Sequence, residues 1–211
     1  MQLLAIFHQL YDRHGPQHWW PAETPFEVMV GAVLTQNTAW RNVEIAIANL
    51  KAVGRLELES ILAMPIEALA QAIRPAGYFN VKAKRLQHLC QFLQQHPKLD
   101  QLDSDQLRRQ LLSVHGIGPE TADDILLYAF NRPVFVIDAY TRRLFSRLGL
   151  VEADIGYELM REEFERVLDA DPRLFNEYHA LIVIHAKEIC RPRPMCGACP
   201  LVQMCSYAVT T

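Results

Sequence analysis

The chain has 211 residues, half of them apolar and 21% charged, which suits a soluble globular protein with a core in one or two small domains. No apolar run is long enough to span a bilayer, and MQLLAIFHQLYDRHG lacks a basic leader and a small-residue cleavage site, so no signal peptide, no membrane partner and a cytoplasmic location are expected. The formal charge of −3 argues mildly against a nucleic-acid partner, yet phosphate contacts need only a local basic strip, and Lys82, Lys84 and Arg85, Arg142, Arg143 and Arg147, and Arg191 and Arg193 offer three.

Leu3, Ile6, Phe7 and Leu10 recur at helical spacing over residues 2–13. GPQHWWPAETP interrupts this pattern with Gly15, Pro16, Pro21 and Pro25. Trp19 and Trp20 stand inside that loop, where two adjacent indoles cannot both face a core easily. They either clasp the domain surface or form a stacking platform for a nucleobase, a contact worth roughly 1–3 kcal/mol per base. Thr24 and Pro25 open the next helix, and FEVMVGAVLTQ is so apolar that this helix should be central and buried. It ends on Gln36, Asn37 and Thr38, polar groups that are costly to bury unpaired; solvent or a capping role accounts for them. Trp40-Arg41-Asn42 then leads into VEIAIANL.

Residues 57–73 read as two helices, LELESILAM and, opened by Pro65, IEALAQAIR. Gly77 ends the second, and Asn80 can cap the helix through VKAKRLQHLCQFLQQ. Tyr78 reads as a core aromatic, Lys84 and Arg85 as a solvated basic face. His88 and Cys90 have no partner at ligand spacing and are structural. Asp103 or Ser104 caps a helix over 103–113. YELMREEFERVL is amphipathic with a solvated acidic face, and Leu174 to Cys190 reads as a long apolar-rich helix.

The stretch 111–147, LLSVHGIGPETADDILLYAFNRPVFVIDAYTRRLFSR, reads as a helix end, a tight turn, a second helix, a short extended run and a third helix. Gly116 and Gly118 flank Ile117 and leave amide groups uncovered in the turn at 115–119. The helix that follows presents unpaired first amides and a positive dipole end, which favour an anion such as phosphate. Thr121, Ala122, Ile125, Leu126 and Ala129 form the face that would pack on Leu107, Leu111 and Leu112. Asp138 stands where the third helix needs its N-cap. Further on, Cys190, Cys196, Cys199 and Cys205 follow C-x5-C-x2-C-x5-C. Four thiolates so close in a cytoplasmic protein argue for metal over disulfides. Zinc and a cubane iron–sulfur cluster both take four sulfurs, and spacing does not choose between them.

The Gly-Ile-Gly turn, the Thr-Ala helix behind it, the aspartate twenty residues beyond Gly118 and the four cysteines resemble the helix-hairpin-helix (HhH-GPD) DNA glycosylases of the endonuclease III superfamily. The resemblance covers nearly the whole chain. It implies an all-α, two-lobed fold with a C-terminal 4Fe–4S cluster loop: a helical-barrel lobe over 22–132, and a cluster lobe combining 1–21 with 133–211. It implies that Asp138 is the catalytic carboxylate and that the amides of Gly116, Ile117 and Gly118 grip a DNA phosphate. Gln36 would plug the gap left by a flipped nucleotide, Tyr78 would be the apolar wedge, and Lys82 and Arg142 would lie near phosphate. Cys190, Cys196, Cys199 and Cys205 would hold the cluster. The most familiar members have one more residue between the first two cysteines, so the loop with Arg191 and Arg193 is shortened here.

Bifunctional members carry a lysine two residues after the last hairpin glycine; its amine attacks the sugar and cuts the strand. Pro119 and Glu120 occupy those places here, and a carboxylate forms no Schiff base. Hydrolysis without lyase activity is expected. Trp19-Trp20-Pro21, Gln36-Asn37-Thr38-Ala39-Trp40 and the GIGPETAD hairpin look like the endonuclease III-related branch that includes 3-methyladenine DNA glycosylases. That likeness places Trp19 and Trp40 on either side of a flipped base, with Trp20, Pro21 and Lys187 at the pocket. The expected partner is double-stranded DNA with a damaged base, most simply an alkylated purine, bound by a monomer. The rival readings are an oxidised pyrimidine or deaminated purine as substrate, a non-catalytic lesion-binding module, and a zinc protein unrelated to DNA.

Overall fold

The computed structural model describes residues 2–54 and 56–209; residues 1 and 210–211 of the expected cluster lobe lie outside the described residues. All regular structure among the described residues is helical, as expected. The chain divides into two compact units, Ala22–Arg132, and Met1–Pro21 with Pro133–Thr211. No helix among the described residues is long and apolar enough to cross a membrane.

In the unit Ala22–Arg132, helix α2 (Pro25–Thr35) is buried from Glu27 to Leu34, because it is apolar nearly all round. The Thr24 hydroxyl accepts from the Glu27 amide at 3.1 Å and Pro25 sits at the first helical position, so the start is capped as its residues require. Helices α3 (Trp40–Val53), α6 (Phe79–Gln95) and α8 (Pro119–Asp124) pack on α2, while α4 (Leu58–Ala63) and α5 (Ile66–Ala72) pack on α6. Asn80 does not cap α6. It lies inside the helix, and the cap position belongs to Tyr78, whose backbone is left-handed at φ 46°.

Helix α7 (Ser104–Leu112) resolves the choice of cap in favour of Asp103. Its carboxylate accepts from the Gln106 amide at 2.7 Å while the Gln106 side chain accepts from the Asp103 amide. Asp103→Ala should therefore lower stability by about 1 kcal/mol. Urea unfolding checks this, and an unchanged midpoint would mean that solvent serves those amides equally well.

Beyond α8 the chain does not stay α-helical. Residues Ile125–Ala129 form a π-turn, with the Phe130 amide donating to the Ile125 carbonyl at 3.2 Å. A pairing invisible to periodicity lies beneath it: Arg108 holds both carboxylate oxygens of the fully buried Asp123, at 2.6 and 3.1 Å. Breaking such a pair strands a charge in the core.

The second unit contains α1 (Leu3–His14), α9 (Ala139–Arg147), α10 (Tyr157–Val167), α11 (Pro172–Glu188) and α12 (Ser206–Val209). Helix α11 begins two residues earlier than its apolar pattern suggests, because Pro172 fits the first helical turn and the Asp171 carboxylate caps it. It packs against α1 and α9 over an aromatic core. The Phe135 and Phe145 rings lie 4.5 and 4.7 Å from that of Phe164, and the buried Tyr178 hydroxyl donates to the Leu3 carbonyl at 2.8 Å. Val134 to Ile137 are buried but form no strand. Side chains of α10 serve the run instead, with the Phe135 amide donating to Glu165 at 2.9 Å.

Candidate functional site

Asp138 ends the buried run Val134–Ile137 and caps α9, so its carboxylate sits at the positive end of that helix. One oxygen accepts from the Thr141 amide at 2.7 Å and from the Thr141 hydroxyl at 2.8 Å. The other lies 3.6 Å from Nε2 of His179, an ion-pair distance longer than a hydrogen bond. Thr141 and His179 are both buried. Burial alone would raise the Asp138 pKa. His179, followed by the two Thr141 donors, outweighs it and holds the carboxyl below the usual aspartate value. A buried carboxylate that stays ionised is suited to stabilising a developing cation. His179 escaped the sequence reading; it lies on α11, eight positions before Lys187.

Lys187 reaches over two rings of the same unit, with Nζ 5.9 Å from the centroid of Trp19 and 5.7 Å from that of Tyr140. Partial desolvation lowers its pKa, and the negative charge of Asp138 opposes that shift. Trp19 and Trp20 are half-buried and meet edge to face at 5.9 Å, while Pro21 is exposed. Tyr140, which no sequence signal singled out, also lies under Arg143 at 5.1 Å.

The hairpin belongs to the other unit. Gly116 adopts φ +95°, and a Cβ there would lie 2.3 Å from Cγ of Arg85, so both backbone and neighbours require glycine. At Gly118 a Cβ would meet nothing within 4 Å; the chain itself does not demand a glycine there. Ile117 is buried, and Glu120 is exposed in the first turn of α8. Gln36 is occupied inside the unit: its Nε2 donates to the Gly116 carbonyl at 3.1 Å and the Thr121 hydroxyl at 2.9 Å, while its Oε1 accepts from Arg85. Trp40 donates from its indole N–H to Glu44 at 2.9 Å. Tyr78 is 73% exposed and so is no core aromatic.

Two basic assignments need correction. Lys82 is 1% exposed, and its ammonium is spent on the Leu34 and Ala76 carbonyls and the Thr38 hydroxyl, so it does not lie near phosphate. Arg143 and Arg147 are likewise turned inward, onto the carbonyls of Ala186, Cys190, Arg191 and Pro192 at the end of α11. Arg142 is half-buried and donates to the Ile155 carbonyl. Lys84, Arg191 and Arg193 remain exposed.

Cys190, Cys196, Cys199 and Cys205 line one cavity together with Leu144, Leu148, Ile189, Leu201 and Arg147. Among the described residues, no group of three or more His, Cys, Asp or Glu is arranged to hold a metal ion. Arg147 lies 3.3 Å from the Cys190 sulfur. Burial first, and then the charges of the other three cysteines, push the Cys199 thiol up, against one bond from the Leu201 amide.

A protein of Methanocaldococcus jannaschii named "Putative DNA repair glycosylase MJ1434" is 48% identical over 209 residues, covering 96% of this chain and 95% of that protein. Endonuclease III of Sulfolobus acidocaldarius is 30% identical over 184 residues, covering 86% of this chain and 82% of its own. A non-covalent endonuclease III–DNA complex superposes with a TM-score of 0.85 at 23% identity, over 99% of this chain and 96% of that one, and shows the shared fold. The H. pylori 3-methyladenine DNA glycosylase MagIII, bound to 1,N6-ethenoadenine, superposes at 0.77 with 29% identity over 89% of this chain and 98% of that one. The family model for HhH-GPD superfamily base excision DNA repair proteins matches residues 30–170, and the chain belongs to that superfamily.

Proposed function

We propose that the protein is a monofunctional DNA glycosylase of base excision repair, which hydrolyses the N-glycosidic bond of a base extruded from double-stranded DNA. The observation that carries this reading is the Asp138 carboxylate, buried yet held ionised, in a chain with Glu120 where bifunctional relatives have their lysine. Base extrusion is required because the glycosidic bond is inaccessible in the stack. As the bond breaks, the base leaves with the electron pair and positive charge develops on the sugar. Asp138 stabilises that charge or orients the water, whose oxygen bonds the sugar carbon as one of its protons is lost to solvent or to the departing base. The products are a free base and an abasic site. The hairpin and the start of α8 would face a DNA phosphate at Gly118, which is open to approach, while the Ile117 amide is already spent on the Val114 carbonyl at 3.0 Å.

The base we favour is an alkylated purine such as 3-methyladenine. The Trp19 indole supports this choice, because an electron-rich ring face suits a positively charged purine. Trp20 and Pro21 of the same unit complete the proposed base pocket. The similarity to MagIII, a 3-methyladenine DNA glycosylase bound to 1,N6-ethenoadenine, agrees with it. A cationic base is a good leaving group and needs little general acid. Duplexes carrying 3-methyladenine, 7-methylguanine, hypoxanthine, uracil and thymine glycol, read with and without alkali, test the assignment. Release of thymine glycol alone would move the substrate to oxidised pyrimidines, release of hypoxanthine alone to deaminated purines, and release of none would favour the lesion-binding module. Strand scission without alkali would refute the hydrolytic assignment.

The pH profile is a further test. A depressed carboxyl pKa means that Asp138 stays ionised above that value and is protonated as pH falls through it. Base release should therefore persist through pH 5 and fall only below the ordinary aspartate range near about 3.9. An acid limb centred between pH 5 and 6 would overturn this.

The cysteine cavity fits a 4Fe–4S cluster. The four thiols share one largely apolar-walled space, and four thiolates are the ligand count of such a cluster. The cluster would supply structural cross-linking, and Cys190, Cys196, Cys199 and Cys205 would hold it. The protein would act as a monomer, associated with the nucleoid in the cytoplasm.

A further inference from the structure

Asp138 divides its two oxygens between two helices. Oδ1 takes both Thr141 donors of α9, the amide at 2.7 Å and the hydroxyl at 2.8 Å. An ionised carboxylate has about four lone-pair sites, two on each oxygen, so Oδ1 is filled. Oδ2 faces Nε2 of His179, on α11, at 3.6 Å. That separation suits an ion pair and is longer than a hydrogen bond, so Oδ2 retains lone pairs for a sugar or a water. The pair is largely enclosed, with 6% of the His179 side chain and 12% of the Asp138 side chain exposed.

The other charged and titratable groups around Asp138 are engaged elsewhere. On α9, Arg142 donates to the Ile155 carbonyl, and Arg143 to the Ala186 and Cys190 carbonyls. The run that delivers Asp138 is apolar from Val134 to Ile137, and its Ile137 amide donates to the Tyr157 hydroxyl of α10 at 3.4 Å. His14 of α1 pairs with His185 of α11. Lys187 feels the charge of Asp138, but its ammonium stands over the Trp19 and Tyr140 rings. His179 is the group that meets Oδ2 at ion-pair distance.

We propose that His179 is a positioning residue of the base-release reaction, which keeps Asp138 anionic with Oδ2 free to meet the sugar or the water. The proposal rests on the glycosylase reading, since it presupposes that reaction. Burial pushes the Asp138 carboxyl up, and His179 is the first of the groups that bring it below the usual aspartate value. Without the imidazole, burial is opposed by Thr141 alone, and the carboxyl pKa should rise. A carboxyl with a raised pKa is protonated sooner as pH falls, so base release should be lost at a higher pH than in wild type.

The test is single-turnover base release between pH 4 and pH 8 by the full-length protein, on the best substrate of the lesion panel. Wild type should release base equally fast at pH 5 and pH 8. His179→Leu should match it in duplex affinity and come within a few-fold at pH 8, yet lose about tenfold on going to pH 5. His179→Gln, which keeps an N–H donor, should lie between the two. If His179→Leu does not fold, the more adaptable His179→Met takes its place. An acid limb that does not move, or a rate reduced by the same factor at every pH, overturns the proposal. A wild type without base release sinks the glycosylase reading instead. Carbon-13 titration of the Asp138 carboxyl, assigned by its loss in Asp138→Asn, then decides the contact without chemistry. A carboxyl that titrates higher in His179→Leu upholds the hold of His179 on the anion, and one that does not move refutes it.

Discussion

Asp138→Asn should bind lesion-bearing duplex as tightly as wild type while single-turnover base release falls by about 10³-fold, or roughly 4 kcal/mol of barrier. The substitution is nearly isosteric. An asparagine oxygen still accepts from the Thr141 amide and hydroxyl, and asparagine caps helices as well as aspartate does, so α9 keeps its start. What disappears is the charge. A neutral amide beside His179 cannot balance positive charge on a deoxyribose, and inside a buried site that balance is worth far more than in water. A melting temperature within a few degrees of wild type would show that the lost rate is not lost fold, since about 1 kcal/mol moves a chain of this size by roughly 2–4 °C. Base release that survives the change would remove Asp138 from the chemistry, and a wild type without base release would identify a lesion-binding module.

The elements that sequence alone conveyed are those with a short-range cause. Helix α2 is apolar on all sides and is central; Thr24 and Asp103 precede their helices at cap spacing; Gly116 occupies a backbone conformation that the Gly-Ile-Gly turn announces. Asp138 was legible for the same reason, as an N-cap three residues before its Thr141 partner. Pairings across the chain were not. His179 meets Asp138 from another helix, and nothing in NEYHALIV marks that histidine apart from a core one. Lys82 looks like its neighbour Lys84, and only burial tells the internal tie from the solvated charge. Arg143 and Arg147 were read as one basic strip with Arg142, yet helical spacing turns them toward the carbonyl end of α11. Charge patterning counts charges but does not say whether they meet water, phosphate or the protein's own carbonyls. The π-turn at Ile125–Ala129 was hidden too, because a run of apolar residues satisfies α and π periods equally over so short a stretch.

Cys199→Ala should abolish the iron content and visible charge-transfer absorbance of the purified protein and release its C-terminal segment to proteolysis. Residues 191–205 hold only two short 3-10 turns, Cys196–Ala198 and Val202–Met204. Their internal bonds are few and local, such as the Cys199 amide to the Cys196 carbonyl at 3.1 Å. Ordering each residue of such a loop costs about 1–2 kcal/mol in backbone entropy, so the segment faces a deficit of order ten kcal/mol or more. Leu201 is its one fully buried apolar anchor, and burying a leucine returns only about 1.5–3 kcal/mol. Arg147, held between the Arg191 and Pro192 carbonyls at 2.7 and 3.0 Å, adds a few further bonds of modest net worth. Those contributions fall well short, whereas metal–thiolate sites in small domains contribute about 10–16 kcal/mol to folding. The remaining three cysteines do not compensate, because the cavity that they line offers no fourth thiolate. Limited digestion with chymotrypsin should cut after Leu201, buried in the wild type, only in the variant, while α11 and the aromatic core around Phe164 stay protected in both. A colourless wild-type protein with bound zinc and the same protection would replace the iron–sulfur assignment, and a variant that keeps both colour and protection would remove Cys199 from the ligand set.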